Sequence, residues 1–295
     1  MAAPLVSVLM TAYNREKYIT EAIESVLHST LTDFELIIVD DGSTDNTVKI
    51  AEKYTNTDKR VKLFINEKNL GDYYNRNKAA SYASGKYLKY LDSDDLIYSN
   101  GLEVFVNSME RFPDAAVGIM SFIGQEEKPY PFKMSPEEAY RYNFYTRGLF
   151  DTGPSGLIFR ASMFREIGGF SGKRYVGDTE INLKLAAKWP VVKIAASLIF
   201  WRQHEGQEIV AGVNSTGYLE LQLPMYQEEF SKTQCPLPET QRSAIIKYHK
   251  KIAAREIIKL FFLKRKAATG IHFYKKLGLG PVDFINAIFS RKKKY

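Results

Sequence analysis

The first half of the chain alternates short apolar runs with amphipathic stretches. Five apolar runs predict β-strands: Leu5–Met10, Phe34–Val39, Val61–Ile65, Tyr87–Leu91 and Ala115–Met120. Four stretches between them have the apolar spacing of helices: Glu16–His28, Thr44–Tyr54, Gly71–Ala83 and Asn100–Arg111. Strands and helices that alternate at this interval predict a mostly parallel sheet with helices on both faces. In such sheets ligands bind at the carboxyl ends of the strands.

The pattern changes beyond residue 120. Gly124–Asp151 combines three prolines with several aromatic residues and predicts a loop-rich connector that lies over the site. Asp178–Trp189 predicts a helix, and Val191–Trp201 predicts a further strand. After Asn214 the strand signals stop, and Gln241–Lys266 predicts a long helix.

The composition narrows the class of protein. The chain has 295 residues, 45% of them hydrophobic and 25% charged, which is typical of a globular protein and not of a disordered one. Its single cysteine, Cys235, excludes an internal disulfide and a cysteine zinc cluster, and it fits a reducing compartment. No run reaches the roughly 18 to 20 apolar residues needed to span a bilayer, and Met1–Leu5 lacks the positive start of a signal peptide. We therefore expect a cytoplasmic protein.

The positive charge of the chain is confined to its C-terminal segment. Residues 241–295 contain 15 Lys and Arg against two acids, a balance of +13, whereas residues 1–240 carry a balance of −6. This distribution argues against a nucleic-acid-binding protein and favours an anionic surface bound at one end of the molecule.

The predicted helix in this segment is amphipathic. One face is basic at every fourth position: Lys247, Lys251, Arg255 and Lys259. The opposite face is apolar: Ile246, Ala253, Ile257, Leu260 and Phe261. This pattern is typical of a helix on an anionic membrane surface, which it would bind without crossing the bilayer. The alternative is a helix packed on the α/β domain with its lysines in water.

Three acidic clusters follow predicted strands or begin a helix: Asp40-Asp41, Asp92-Ser93-Asp94-Asp95 and Asp178-Thr179-Glu180. Asp92 and Asp94 are the most informative pair, since residues two apart on an extended segment point to the same side. Two carboxylates held there repel each other unless a cation lies between them. A divalent metal would solve this and keep positions open for phosphate oxygens. The alternative is a solvated acidic turn that caps the next helix.

The loop after the first predicted strand argues against a dinucleotide cofactor. Residues 10–14 read Met-Thr-Ala-Tyr-Asn, where a nicotinamide- or flavin-binding fold would carry a glycine-rich motif. Tyr13 can instead stack under a nucleotide base or cover the edge of the sheet.

Taken together, these segments resemble family 2 glycosyltransferases with the GT-A fold. The matching segments are residues 4–14, 34–45, 69–71 with 76–77, 85–88 and 91–95. The match is looser from Gly153 to His204, and nothing is recognised beyond about residue 215. The resemblance implies an α/β fold with a Rossmann-like, mostly parallel sheet flanked by helices. It places a nucleotide-binding half at about 1–110, an acceptor half at about 111–215 and a helical basic extension at 216–295.

The resemblance also implies roles for individual residues. Nucleotide contacts would come from Thr11, Tyr13, Asp41, Arg76 and Asp92. The metal would be held by Asp94, with Asp92 and His204. For Arg76 a surface salt bridge is the alternative role, and for His204 a structural one.

Asp178 resembles the catalytic base of the family, which takes the proton of the acceptor hydroxyl. The usual motif has an acid immediately before this aspartate, but here the position is Gly177. Glu180 is therefore an alternative general base, and the alternative role for Asp178 is a structural one, as a helix N-cap. Gly153 and Ser155, together with Glu180, would line the acceptor side.

The sequence thus predicts an inverting glycosyltransferase of the hexosyltransferase type that depends on Mn²⁺ or Mg²⁺. It would move a sugar from a nucleoside diphosphate-sugar, with uridine favoured by resemblance, to a glycan or lipid-linked saccharide on the cytoplasmic side of a membrane. A nucleotidyltransferase would need a basic, glycine-rich triphosphate loop, and Thr11–Arg15 is not one. A non-catalytic glycan-binding scaffold is the other alternative, and the retained acidic residues argue against it.

Overall fold

The computed structural model describes residues 3–121, 128–146, 148–204, 217–262 and 266–289. Its described residues form two compact units. The α/β unit comprises those of Met1–Ala139 and Leu149–His204, and the helical unit comprises those of Tyr140–Gly148 and Glu205–Tyr295.

Four parallel strands form the first half of the α/β unit, in the order β3-β2-β1-β4. These strands are β1 (Val6–Ala12), β2 (Phe34–Asp40), β3 (Val61–Ile65) and β4 (Tyr87–Tyr90). The helices are α1 (Ile19–Leu27), α2 (Thr47–Thr57), α3 (Asp72–Tyr82) and α4 (Gly101–Glu110), with the two-residue strand β5 (Leu96–Ile97) before α4. Every residue of β2 is buried, as expected for a parallel strand covered on both faces. The strands and helices predicted here are confirmed, with ends that differ by a few residues.

The second half extends the same sheet to eight strands, in the order β4-β8-β6-β9-β7. Its elements are β6 (Val117–Met120), β7 (Phe132–Met134), α5 (Pro136–Arg141), β8 (Leu157–Arg160), α6 (Ala161–Glu166), α7 (Gly177–Lys188), β9 (Val191–Ile194) and β10 (Ile199–Phe200). β8 is antiparallel to both of its neighbours, and β7 is antiparallel to β9. β10 pairs with β5 outside the main sheet.

Two sequence predictions for this half need correction, and one strand was missed. The connector Gly124–Asp151 is not loop-rich throughout, because it contains β7, α5 and a π-helical turn at Tyr142–Thr146; residues 122–127 and 147 lie outside the described part. The strand predicted over Val191–Trp201 is divided into β9 and β10. β8 was not predicted, since its three apolar residues show too little periodicity to distinguish a strand from a buried helical turn.

The helical unit contains α8 (Gly217–Ser231), α9 (Glu239–Phe262), α10 (Ala267–Lys276) and α11 (Pro281–Phe289). The predicted helix Gln241–Lys266 corresponds to α9, while Lys266 precedes α10. Within the described residues, no helix is both long enough and apolar enough to cross a bilayer.

The apolar face of α9 is buried within the helical unit. Ala253, Ile257 and Leu260 belong to one core cluster with Leu223 of α8 and Phe273 of α10. The predicted apolar stripe is therefore part of a packed core and is not presented to a lipid surface.

Some basic side chains of α9 also form hydrogen bonds or ion pairs within the helical unit. Arg255 Nε donates to Ala287 O at 2.8 Å, and Lys259 pairs with Glu256 at 2.5 Å. The four-residue spacing therefore predicted more basic side chains available to an anionic surface than α9 provides.

Candidate active site

The carboxyl ends of β1, β2 and β4 meet at one edge of the sheet. Asp41 N donates to Ala12 O at 2.8 Å, and Ser93 Oγ donates to Thr11 O at 2.8 Å. The loops after all three strands are thus joined by hydrogen bonds. Five of the predicted site residues lie at the ends of these strands, so the topology brings them to the same edge: Thr11, Tyr13, Asp41, Asp92 and Asp94.

Asp41 organises the loop that precedes α3. Its carboxylate is buried and accepts hydrogen bonds from Asn66 Nδ2 at 2.8 Å and from the backbone N–H groups of Leu70 and Gly71, each at 2.9 Å. Gly71 has a φ of 85°, a conformation that favours glycine. Asp41 is therefore a fixed acceptor at the floor of the site.

Tyr13 lies at the rim, with 47% of its surface exposed, on the loop after β1. The next residue, Asn14, has a φ of 52°, and its side chain accepts from Thr44 N at 2.9 Å. This bond ties the loop to the one after β2. An exposed ring on a fixed loop, above a buried acceptor, is a suitable platform for a nucleotide base.

Asp94 lies between two cationic or metal-binding side chains. Its Oδ2 atom accepts from Arg15 Nε at 3.1 Å and lies 3.0 Å from His204 Nε2. The His204 ring also stacks on Tyr18, with 4.6 Å between the centroids. A carboxylate oxygen beside an imidazole nitrogen is a donor set that fits a divalent cation. Such a cation is often held by only one or two carboxylates, because substrate phosphates supply further ligands.

Asp92 is paired with Arg76. Arg76 on α3 is 6% exposed, and its Nη2 atom lies 2.8 Å from Asp92 Oδ1. Its Nε atom lies 2.9 Å from Asp72 Oδ1. Both contacts are ion pairs, and Asp92 Oδ1 and the Nε and Nη1 atoms of Arg76 are buried without a hydrogen-bond partner. Burial alone would lower the pKa of Arg76, but Asp72, Asp92 and Asp178 raise it well above its usual value.

Asp178, in the first turn of α7, belongs to the same charge cluster. Its Oδ1 atom is buried without a hydrogen-bond partner. Burial raises the pKa of Asp178 to about 7; Arg76 opposes this shift, and Asp72 adds to it. A carboxylate with this pKa can accept a proton near neutral pH.

Tyr73 explains why glycine precedes Asp178. A Cβ on Gly177 would lie 2.6 to 2.8 Å from atoms of the Tyr73 ring, which is too close for a real contact. The Tyr73 hydroxyl interacts with Asp178 and lowers the pKa of that carboxyl. Burial and Asp178 raise the pKa of Tyr73 well above its usual value, so Tyr73 stays protonated. The ring takes the space in which the resemblance would place an acidic side chain.

The turn before β8 is connected to the Asp92 segment. Ser155 Oγ accepts from Asp92 N at 3.0 Å, and Ser155 O accepts from Lys89 Nζ at 2.6 Å. Gly153 precedes this 3-10 turn with a φ of −66° and has open space around its Cβ position. Burial lowers the pKa of Lys89 to about 7, and burial also raises the pKa of Asp95 to about 7, with Asp92 adding to that shift.

Glu180 is enclosed by cations. Its carboxylate pairs with Lys173 at 2.9 Å and Lys184 at 3.1 Å and also accepts a hydrogen bond from Ser171. Burial would raise the pKa of Glu180, but the serine and the two lysines lower it. These contacts make Glu180 a weak base and tie α7 to the loop before it.

The structure adds several residues that sequence reasoning missed. Arg15 contacts Asp94, Tyr73 contacts Asp178, and Lys89 anchors Ser155. Arg202 donates from Nε to Asp94 O at 2.9 Å and from Nη2 to Glu21 at 2.6 Å. One sequence signal was available: a lysine inside the apolar run Tyr87–Leu91 indicates a buried, hydrogen-bonded amine.

The proteins to which this chain is similar are glycosyltransferases. A profile of the family described as Glycosyl transferase family 2 matches residues 7–168. The chain is 27% identical over 217 residues to glycosyltransferase GlyG of Streptococcus pneumoniae, covering 68% of this chain and 72% of GlyG. It is 43% identical over 106 residues to the Escherichia coli protein named UDP-Glc:alpha-D-GlcNAc-diphosphoundecaprenol beta-1,3-glucosyltransferase WfgD, covering 36% of this chain and 41% of WfgD. The chain spans less than half the length of the first curated relatives that it matches, at 44% and 33%.

Two solved structures share the fold. S. aureus TarS 1–349 in complex with UDP-GlcNAc has a TM-score of 0.70 at 22% identity, over 96% of this chain and 81% of that one. The mannosyltransferase PcManGT from Pyrobaculum calidifontis, in complex with GDP-Man and Mn²⁺, has a TM-score of 0.59 at 13% identity, over 99% of this chain and 89% of that one.

The close contact between Gly177 and Tyr73 predicts an unequal pair of alanine substitutions. We expect Gly177→Ala to lower the free energy of unfolding by about 1 to 3 kcal/mol, because the new methyl group would overlap the Tyr73 ring. Gly153→Ala, at a position with open space and an ordinary φ, should change it by less than about 1 kcal/mol. Urea unfolding of both variants measures this difference. Equal changes in the free energy of unfolding would show that the Tyr73 ring does not exclude a side chain at position 177.

Proposed function

Since this chain belongs to glycosyl transferase family 2, we propose that its α/β unit is an inverting, metal-dependent glycosyltransferase. The observation that carries the proposal is the grouping of the site carboxylates. Arg76 joins Asp92, at the end of β4, to Asp178, whose pKa lies near 7. A donor-binding carboxylate and a proton acceptor therefore belong to one charge cluster around the buried Arg76.

The donor is a nucleoside diphosphate-sugar. Tyr13 offers an exposed ring for the base, Asp41 a buried acceptor for a base N–H, and Asp92 a carboxylate for the ribose. Thr11 lies beneath them at the end of β1. Uridine is the favoured base, because TarS was solved with UDP-GlcNAc and WfgD is named for UDP-Glc.

A divalent cation, Mn²⁺ or Mg²⁺, would be held by Asp94 together with His204, with Asp92 nearby. When bound, it would neutralise charge on the leaving diphosphate. Arg15, which donates to Asp94, adds positive charge at the same place. The complex of PcManGT with Mn²⁺ supports this assignment.

Asp178 acts as the general base. As the acceptor oxygen forms its bond to the anomeric carbon, the bond from that carbon to the diphosphate oxygen breaks, and the hydroxyl proton passes to Asp178. One displacement from the opposite face inverts the anomeric centre, so no carboxylate nucleophile is required. Arg76 and Tyr73 lower the pKa of Asp178 and so favour its ionised form, against the effect of burial. Glu180, fixed by Lys173 and Lys184, supports the acceptor side without accepting the proton.

The acceptor is a hydroxyl of a glycan or a lipid-linked saccharide. The turn from Gly153 to Ser155 lies beside Asp92 and would line the acceptor side. The name of WfgD specifies a saccharide diphosphoundecaprenol, which supports a lipid-linked acceptor, here on the cytoplasmic face of a membrane.

The metal role of Asp94 is tested by Asp94→Ala. We expect this variant to lose the Mn²⁺-dependent part of UDP binding, because it removes the carboxylate while leaving the sheet intact. Isothermal titration with UDP, with and without Mn²⁺, measures this loss. Asp114→Ala is the matched control, since Asp114 pairs with Lys133 away from this edge. Unchanged metal dependence in Asp94→Ala would exclude the role.

The role of Asp178 is tested by Asp178→Asn, which keeps the size of the side chain but cannot accept a proton. We expect kcat to fall about 10²- to 10⁴-fold while donor binding is retained. A base must be ionised to act, and the pKa of Asp178 is raised to about 7. Activity of the unmodified chain should therefore decrease as the pH falls below about 7.

Turnover of a UDP-sugar and titration with UDP separate these two effects. Near-normal turnover in Asp178→Asn, combined with an inactive Glu180→Gln, would assign the base to Glu180 instead.

A further inference from the structure

The outer face of α11 is apolar and exposed. Val282, Ile285, Ile288 and Phe289 are 64%, 55%, 64% and 81% exposed, and their spacing places them on one side of the helix. The inner face of α11 packs within the helical unit, because Ala287 is buried in its core cluster. The helix therefore keeps a second apolar face after its packing is complete.

The neighbouring helix α10 also exposes apolar residues. The ring centroid of Tyr274 lies 5.8 Å from that of Phe284, which packs against the core cluster, so α10 and α11 contact each other here. Tyr274 is 41% exposed and Ile271, one turn earlier on α10, is 47% exposed. Single exposed apolar residues are ordinary, whereas four on one side of α11, beside further ones on an adjacent helix, favour an interaction surface.

Positive charge borders the same face. A cleft of about 520 Å³ beside Val282 is lined by Lys247 and Lys250 of α9. Neither lysine forms a hydrogen bond or ion pair with another residue in the described part of the helical unit. Two acids also line the cleft: Asp283 accepts the Gly280 N–H at 2.8 Å, and Glu239 lies 3.9 Å from Arg242, which adds a third basic side chain. Along the chain, α11 is soon followed by four basic residues, 291–294.

We propose that the outer face of α11 docks on an anionic phospholipid bilayer. Val282, Ile285 and Phe289 would enter the interfacial region, and Lys247 and Lys250 would contact the lipid phosphates. A second copy of the chain fits this surface less well, because face-to-face contact would bring two clusters of lysines together. Anionic headgroups beside an apolar layer complement both features of the surface.

The docking surface therefore differs from the one that sequence spacing suggested. The apolar stripe of α9 is buried in the core, and α11 supplies the exposed apolar residues. Docking at this face does not rest on the proposed catalysis, although it suits an acceptor that is anchored in lipid.

Vesicle co-sedimentation of the full chain tests the proposal. The probes are phosphatidylcholine vesicles with and without about one third phosphatidylglycerol. We expect binding to the anionic vesicles at low salt and weak binding at 1 M salt, where the Debye length is about 3 Å. Ile285→Ser combined with Ile288→Ser should reduce the partition coefficient about tenfold or more, because it removes exposed apolar side chains without adding charge.

Charge is tested separately by combining Lys247→Gln with Lys250→Gln. This variant should bind about 30-fold more weakly, because each basic side chain near such a surface contributes about fivefold. Lys49→Gln with Lys53→Gln on α2 makes the same charge change on exposed residues of the α/β unit and should have no effect. For the apolar pair, Tyr98→Ser is the control.

Three results would overturn the proposal: equal binding to neutral and anionic vesicles, equal effects of the α2 and α9 lysine pairs, or unchanged binding by the isoleucine variant. Analytical ultracentrifugation without lipid gives a further check. A dimer that Ile285→Ser with Ile288→Ser dissociates would assign this face to a second copy of the chain.

Discussion

The buried guanidinium of Arg76 is the interaction on which the arrangement of the site depends. It lies 2.9 Å from Asp72 and 2.8 Å from Asp92, and its charge also acts on Asp178. The side chains of Asp72 and Asp92 are 36% and 30% exposed, and one oxygen of Asp178 is buried. Three negative charges this close would repel one another without a cation among them. Arg76 supplies that cation from α3, and the carboxylates in turn keep it charged despite its burial. The first and second halves of the α/β unit thus share one electrostatic centre.

This centre divides the acidic residues between different tasks. Asp92 pairs through Oδ1 with Arg76, whereas Asp94 contacts Arg15 and His204. Asp178 keeps a pKa near 7 because burial is partly opposed by Arg76 and Tyr73. Without these two residues the pKa of Asp178 would rise further, and the carboxyl would be protonated at neutral pH. One arginine therefore affects both Asp92, the proposed donor contact, and the pKa of Asp178, the proposed base.

The sequence predicted what depends on local pattern and could not predict contacts between distant segments. The strands up to β4 and the acidic residues after them were recognisable, because apolar runs and the motifs that follow them are continuous in the chain. The contact between Tyr73 and Gly177 and the anchoring of Ser155 by Lys89 depend on how α3, α7 and the turn before β8 come together. The basic face of α9 shows the same limit, since four-residue spacing identifies a face of a helix but not the residues that pack against it.

A crystal structure of the chain with UDP and Mn²⁺ tests the central claim most directly, because anomalous scattering locates the metal. The account predicts metal density between Asp94 and the diphosphate, with the base against Tyr13 and Asp41 and the pair between Arg76 and Asp92 intact. A nucleotide bound away from the carboxyl ends of β1, β2 and β4, or metal density that Asp94 does not contact, would contradict it.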